Sequence, residues 1–316
     1  MSYFGEIEDV RFPKTPDGRS KGSAWITFKS LEGAARAVDA NQRLESGNRL
    51  LRVQYARNAP RRDVDIDTRA HKECWFCLVN PNGEKRLIVD IGTLAYTALA
   101  KGGVNSNHVL VVPIVHIPCL ALADDGLLAE TAETVKRVTQ TLAENEGAED
   151  FVVFERYFPM RNSAVMHTQL QLVPLARLPD EVEPKLLAAG MDKKLQLVPF
   201  DGGVSLLKHE ICRRQGTGAF DEYWSYTFIM ISAKGTVNSY LSLSPPDSRM
   251  PSNFAREFVA DVMSNPSLAE WRHCVQSEAV ETEMATRMKN YLRQSPTPSD
   301  TRPSVCARAP WNHDKR

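Results

Sequence analysis

Three features of the chain predict an α+β fold divided into two or three domains. Its 316 residues, 42% of them hydrophobic, exceed one ordinary domain and suffice for real cores. Strand-like alternation, clearest in Val165–Pro174 (VMHTQLQLVP), stands beside helix-like periodicity, clearest between Asp125 and Glu144. Residues 58–70 (NAPRRDVDIDTRA) are polar, charged and nearly free of large apolar groups, which reads as a linker.

Composition narrows the function classes. The 39 basic and 39 acidic residues cancel, so the chain as a whole has no pull on a polyanion. Residues 1–62, however, hold 12 Lys/Arg against 7 Asp/Glu, and a basic module on an acidic-to-neutral body points to a local polyanion contact. No run approaches the ~18 apolar residues of a membrane span, and the opening MSYFGEIEDV does not have the form of a signal peptide. Six cysteines are few for this length, and only Cys74 and Cys77 form a motif. That suits a reducing compartment, with thiols used for metal or packing.

In residues 1–57, strands are expected at Ile7–Phe12 and Ser23–Phe28, separated by a turn at Lys14–Gly18. Ser30 can cap a helix from Leu31 to about Ala40, and a Gly47 turn leads to Leu50–Ala56. Phe4-Gly5-Glu6-Ile7, the octamer Lys21–Phe28 (KGSAWITF) and the closing LRVQYA stand in the order of an RNA-recognition motif, which this module resembles. The resemblance starts after that family's first strand, so a partial αβ sandwich is expected. It implies that Lys21 and Trp25 face RNA, Trp25 by stacking on a base; otherwise Trp25 merely covers an exposed sheet.

Residues 71–180 open on Cys74-Trp75-Phe76-Cys77, followed by a turn rather than the helix a redox C-x-x-C wants. Strands are expected at Arg86–Ile91, His108–Val115, Phe151–Phe158 and Val165–Pro174, with a helix over about 125–144. In the last strand Val165, His167, Gln169, Gln171 and Val173 share one face, and Met166, Thr168, Leu170 and Leu172 share the other. A row of one imidazole and two amides is an unusual face on so apolar a strand.

The stretches CWFCL (74–78), KGGVNSNHVLVVPIVH (101–116), FERYF (154–158) and HTQLQLVP (167–174) resemble the histidine-triad fold. More closely they resemble the first C-terminal domain of the CwfJ family of splicing-associated proteins. Enzymes of the triad fold carry three alternate histidines, the middle one attacking a nucleotide α-phosphate. Position by position, His167 is the first, Gln169 stands for the nucleophile and Gln171 for the third. An imidazole nitrogen has a free lone pair for phosphorus; a carboxamide nitrogen's is delocalised into its carbonyl, so Gln169 cannot attack. Ala164 replaces a phosphate-contacting hydroxyl, while Gln171, Arg156 and Arg161 remain donors for a phosphate. The resemblance also implies a closed Cys₂His₂ zinc site of Cys74, Cys77, His116 and His167, structural rather than catalytic, with His108 lining the pocket.

Residues 181–294 are expected to add short strands (195–199, 226–232, 240–243) and helices near 254–263, 271–275 and 280–292. PSNFAREFVADVM, WRHC and EAVETE resemble the second, smaller α+β domain of the CwfJ family. The loop RRQGTG (213–218) reads as a solvated turn, and the Pro/Ser/Arg-rich tail 295–316 as disordered. The family resemblance implies a nuclear, non-catalytic RNA-processing factor associated with late spliceosomes holding intron lariats and with the lariat-debranching enzyme. Its pocket would bind branched RNA. A nucleotide phosphohydrolase or transferase, or a protein-only spliceosomal scaffold, are the competing readings.

Overall fold

The computed structural model describes residues 2–11, 22–41, 43–46, 49–55, 74–159, 166–245 and 250–294. Lys21, Arg161, Ala164, the linker and the tail lie outside the described residues, as does the side chain of Trp25. Two separate compact units emerge, one before the linker and one after it.

In the first unit β1 (Ile7–Arg11) pairs antiparallel with β2 (Trp25–Phe28), and α1 (Leu31–Asp39) packs on β2. Ser30 caps α1 as expected, accepting a hydrogen bond from the Gly33 N–H at 3.1 Å. A two-residue hairpin, β3 (Glu45–Ser46) and β4 (Arg49–Leu50), follows.

The second unit is built on one eight-stranded sheet. Its strands are β5 (Ile88–Ile91), β6 (Ala95–Leu99), β7 (Val109–Pro113), β8 (Asp150–Tyr157), β9 (Leu170–Leu175), β10 (Val198–Phe200), β11 (Ser225–Ala233) and β12 (Thr236–Ser244). The spatial order is β10-β12-β11-β8-β9-β7-β6-β5, antiparallel throughout. The segments expected as successive domains therefore share a sheet: β8 and β11 are in register from Tyr226–Tyr157 to Ser232–Phe151.

Alternation on these strands makes two different faces. Val109, Val111, Val153, Leu170, Leu172, Tyr226, Phe228 and Met230 point to the larger core. That core is covered by α2 (Asp125–Glu146), α4 (Gly203–Gln215) and α6 (Glu278–Gln294), the last supplying Ala285, Met288 and Leu292. On the opposite face lie two separate apolar patches. One gathers Val152, Phe154, Val173, Ile229 and Ile231 under α3 (Val182–Asp192) and α5 (Phe254–Val262). The other gathers Tyr96, Ala98, Leu110 and Val112 under Phe76 and Leu78. Gln171 of β9 lies between them, opposite Leu110 of β7 and Phe154 of β8.

Several elements differ from expectation for identifiable reasons. Strand pairing in the VMHTQLQLVP stretch begins only at Leu170, because the preceding residues turn toward the Cys74–Cys77 knuckle, with Thr168 N–H bonded to Ile117 O at 2.8 Å. Ala95–Leu99 is buried at every position and so shows no alternation to read. The connection near 178–194 contains a helix, α3, that starts without a side-chain cap. RRQGTG is half helix: Arg213 and Arg214 end α4, both engaged by Glu210, and Gly216 closes it at φ +69°. The stretch 266–274 forms two short 3₁₀ turns, not an α-helix.

The turn Lys101–Gly103 ties these halves together. Gly102 sits at φ +64°, and a Cβ there would meet the Trp271 carbonyl oxygen at 2.2 Å. The Arg256 guanidinium of α5 donates to Gly102 O at 2.8 Å and Leu268 O at 2.7 Å, and lies 3.4 Å from the Cys274 sulfur. Gly102→Ala is expected to lower the unfolding free energy by about 2–4 kcal/mol, combining left-handed strain with overpacking. Gly147→Ala, equally left-handed at φ +64° but with open space around it, should cost only about 1–2 kcal/mol. Urea denaturation of the two variants checks the contrast.

Candidate metal centre and ligand cavity

Four side chains from three places in the chain converge beyond the end of β7 and the start of β9. The knuckle is closed by backbone bonds from Cys77 N–H to Cys74 O (3.3 Å) and Asn80 N–H to Cys77 O (2.9 Å), and the Asn80 amide also donates to Cys74 O at 2.9 Å. His116 follows β7, and His167 precedes β9. Cys74 Sγ lies 3.4 Å from His167 Nδ1, Cys77 Sγ lies 3.3 Å from His116 Nδ1 and 3.6 Å from His167 Nδ1. All four ligand atoms fall within 4.8 Å of one another.

This donor set fits a metal ion on three counts. Metal–sulfur and metal–nitrogen bonds of ~2.3 and ~2.0 Å at tetrahedral angles put sulfur and nitrogen roughly 3.5 Å apart, close to the separations found. His167 Nε2 is 2.8 Å from Pro113 O, so it carries the proton and turns the Nδ1 lone pair toward the cysteines. Burial, with Cys74 alongside, pushes the Cys77 thiol up to about 12, and a bound cation would favour its ionised form. The cluster could thus hold one ion with all four positions filled by protein.

Beside it, on the face carrying the amide row, is a cavity of about 550 Å³. Gln169, Gln171, Arg156 and Thr227 form its polar floor. Trp75, Phe76, Leu78 and Tyr96 wall one side; Pro251–Arg256 and Trp271 wall the other. Lys85 and Lys101 stand at its rim with Glu84, which is bonded to both Lys101 and Arg86. Gln169 and Gln171 are both half-buried here. His108 is placed differently: it is buried behind the lining, its Nδ1 accepting from the Val104 N–H at 3.2 Å. Burial, reinforced by the Arg256 charge and opposed by a polar contact with Gln171, lowers its pKa to about 3. Its neutral form is therefore favoured, and it stands behind the cavity lining rather than in it.

Comparison with known proteins bears on this arrangement. Residues 61–184 match the family model described as "Protein similar to CwfJ C-terminal", and residues 1–52 match the RNA recognition motif. The chain is thus similar to a CwfJ C-terminal region over 61–184 and to an RNA recognition motif over 1–52. CWF19-like protein 1 of Mus musculus is 28% identical over 230 residues, covering 68% of this chain and 37% of that protein. Zinc finger CCCH domain-containing protein 64 of Arabidopsis thaliana is 27% identical over 226 residues, covering 71% and 35%. The chain spans little more than a third of the length of these relatives. Among solved structures, a uridylyltransferase overlaps at 15% identity and a TM-score of 0.38, covering 80% of this chain and 96% of that one. That overlap is too loose to carry residue roles across.

The CwfJ match ends at residue 184, yet the cavity's second wall comes from 251–271. Arg256 and the α5 N-terminus were not legible as site elements, since nothing local in PSNFAREF points to a partner more than a hundred residues away. Trp75 and Trp271 carry no local signal either, beyond being large aromatics beside Cys and Glu. No helix among the described residues is long and apolar enough to cross a membrane.

Beneath the floor, Glu155 of β8 is buried among donors. It accepts hydrogen bonds from Leu120 N–H at 2.8 Å, from the Tyr226 hydroxyl at 2.6 Å and from the Thr168 hydroxyl, the residue next to His167. Burial raises its pKa to about 7 despite those three bonds. An unfolded glutamate titrates near ~4.3, so between those values the folded chain keeps a proton that the unfolded chain releases. This group's contribution thus falls as pH rises through that window. Glu155→Gln should flatten the decline, and the difference in melting temperature between variant and parent, followed from pH 5 to 7.5, isolates it from the histidines.

Proposed function

We propose that this chain is a non-catalytic RNA-processing factor of the late spliceosome and intron-lariat turnover, acting in the nucleus. The cavity grips a phosphodiester of branched RNA without cutting it, while the N-terminal module, through Lys21 and Trp25, holds neighbouring single-stranded RNA. The observation that carries this reading is the amide row. Gln169 and Gln171 occupy the floor where the enzymes of the resembled fold place imidazoles, and with Arg156 they offer donors to a phosphate but no nucleophile. Spliceosomal proteins and the lariat-debranching enzyme are the protein partners that the family resemblance suggests.

The metal of Cys74, Cys77, His116 and His167 is read as zinc, from the sulfur and nitrogen donors and their spacing. When bound it supplies a structural clamp: with no open position it activates no water. The four residues then fasten the knuckle, and with it Trp75 and Phe76, to the cavity wall. Elemental analysis of the purified chain should give about one zinc per molecule, and Cys74→Ser should lose it together with several degrees of melting temperature. A zinc-free protein whose stability ignores Cys74→Ser overturns the assignment.

Branched RNA should bind more tightly than a linear RNA of the same sequence. Gln171→Ala and Arg156→Ala should each weaken the branched complex by roughly 10-fold, as expected for lost hydrogen bonds to a charged group. Equal affinities for the two RNAs, unmoved by either variant, reject the pocket. So does turnover of dinucleotide or nucleotide-phosphoramidate substrates that depends on the same residues.

A further inference from the structure

Two tryptophans stand exposed at the same cavity, and neither the floor chemistry nor the metal cluster accounts for them. Trp75, on the knuckle, is 48% exposed, and Trp271, on the far wall, is 41% exposed; both line the cavity. Large indoles are usually covered where packing alone explains them. Adjacent residues of one turn hold these two in place. Lys101 Nζ sits 5.9 Å from the Trp75 ring centroid, and Gly102 allows Trp271 to pack against its backbone, closer than any side chain there would permit. Trp271 in turn has the Arg272 guanidinium over its ring at 4.9 Å.

Each indole thus has a cation beside it, Lys101 shared with Glu84 and Arg272 with Glu270, at the border of a floor that donates hydrogen bonds. Aromatic faces bordering a groove that carries positive charge and hydrogen-bond donors are how single-stranded nucleic acid is held without reading its sequence: bases stack on the rings, and the groove's donors meet the phosphates. The cavity's ~550 Å³ lies in the range of pockets that enclose a small ligand of nucleotide size. We propose that Trp75 and Trp271 are stacking faces for two nucleobases of one single-stranded RNA, whose connecting phosphate is held at Arg156 and Gln171. This rests on the RNA-binding reading above and adds to it where the bases go. Trp271 lies in the C-terminal half, so the base site is complete only when both halves of the sheet are present.

The test is equilibrium binding of a labelled five-nucleotide RNA, and of the same backbone without bases, to the full chain carrying Trp25→Ala so that this residue adds no stacking. Trp75→Ala and Trp271→Ala should each weaken the RNA complex roughly 5- to 100-fold, the size of one lost base stack. Trp75→Phe and Trp271→Phe should stay within about 3-fold of the parent, because a phenyl face still stacks. The abasic backbone should bind weakly and respond to none of the four. RNA should also shield the parent's tryptophans from iodide quenching, with less shielding in each Phe variant; this readout stands if an Ala variant fails to fold.

Binding that is lost in Gln171→Ala and Arg156→Ala but intact in all Trp variants, with unchanged iodide shielding in the Phe variants, overturns the stacking proposal and leaves the pocket reading standing. No binding of this RNA by the parent overturns the stacking proposal, while the branched-against-linear comparison above decides the pocket reading. Trp-dependent binding of a proline-rich peptide in place of RNA overturns the nucleobase assignment.

Discussion

The geometry of the cavity depends on a buried guanidinium. Arg256 bonds the carbonyls of Gly102 and Leu268 and reaches the Cys274 sulfur, so one side chain fixes the turn from one half of the sheet against the wall from the other. A buried charge tolerates little loss of its partners, because each unmet donor costs desolvation with no return. Its acceptors are backbone carbonyls, whose positions are set by the turns that bear them. The left-handed Gly102 is the counterpart of that demand: the carbonyl can be presented only if the residue bearing it has no side chain.

The same charge shapes the chemistry around it. Burial, reinforced by the nearby Arg256, favours the neutral form of His108, whose Nδ1 accepts from the Val104 N–H. The floor is left with the amides of Gln169 and Gln171, the Thr227 hydroxyl and Arg156, groups that can hydrogen-bond a charge. Beneath it, Glu155 ties Thr168, Leu120 and Tyr226 together, so the approach to His167 is braced from the opposite side of the sheet.

Much of this is local and could be read from residue order. Cys74 and Cys77 lie in one turn, His116 follows a buried strand after Pro113, and the His167–Gln169–Gln171 row shows itself by alternation. Helices α2 and α6 carry regular apolar stripes. What could not be read is whatever depends on contacts distant in the chain. Gly102 and Arg256 are 154 residues apart and meet only because β8 and β11 are neighbours. α4 opens on two consecutive glycines with positive φ, a start that the usual capping residues do not announce, and β6 is too uniformly buried to show a period.

The continuous sheet also bears on how such a region can change over generations. A boundary near residue 184 falls inside a cooperative body, since separating the halves strips the hydrogen-bonding edges of β8 and β11, and bare edges invite aggregation. Shuffling either half alone between genes would be selected against on folding grounds, before any loss of binding. The two stretches are bound to travel and diverge together, as one heritable piece.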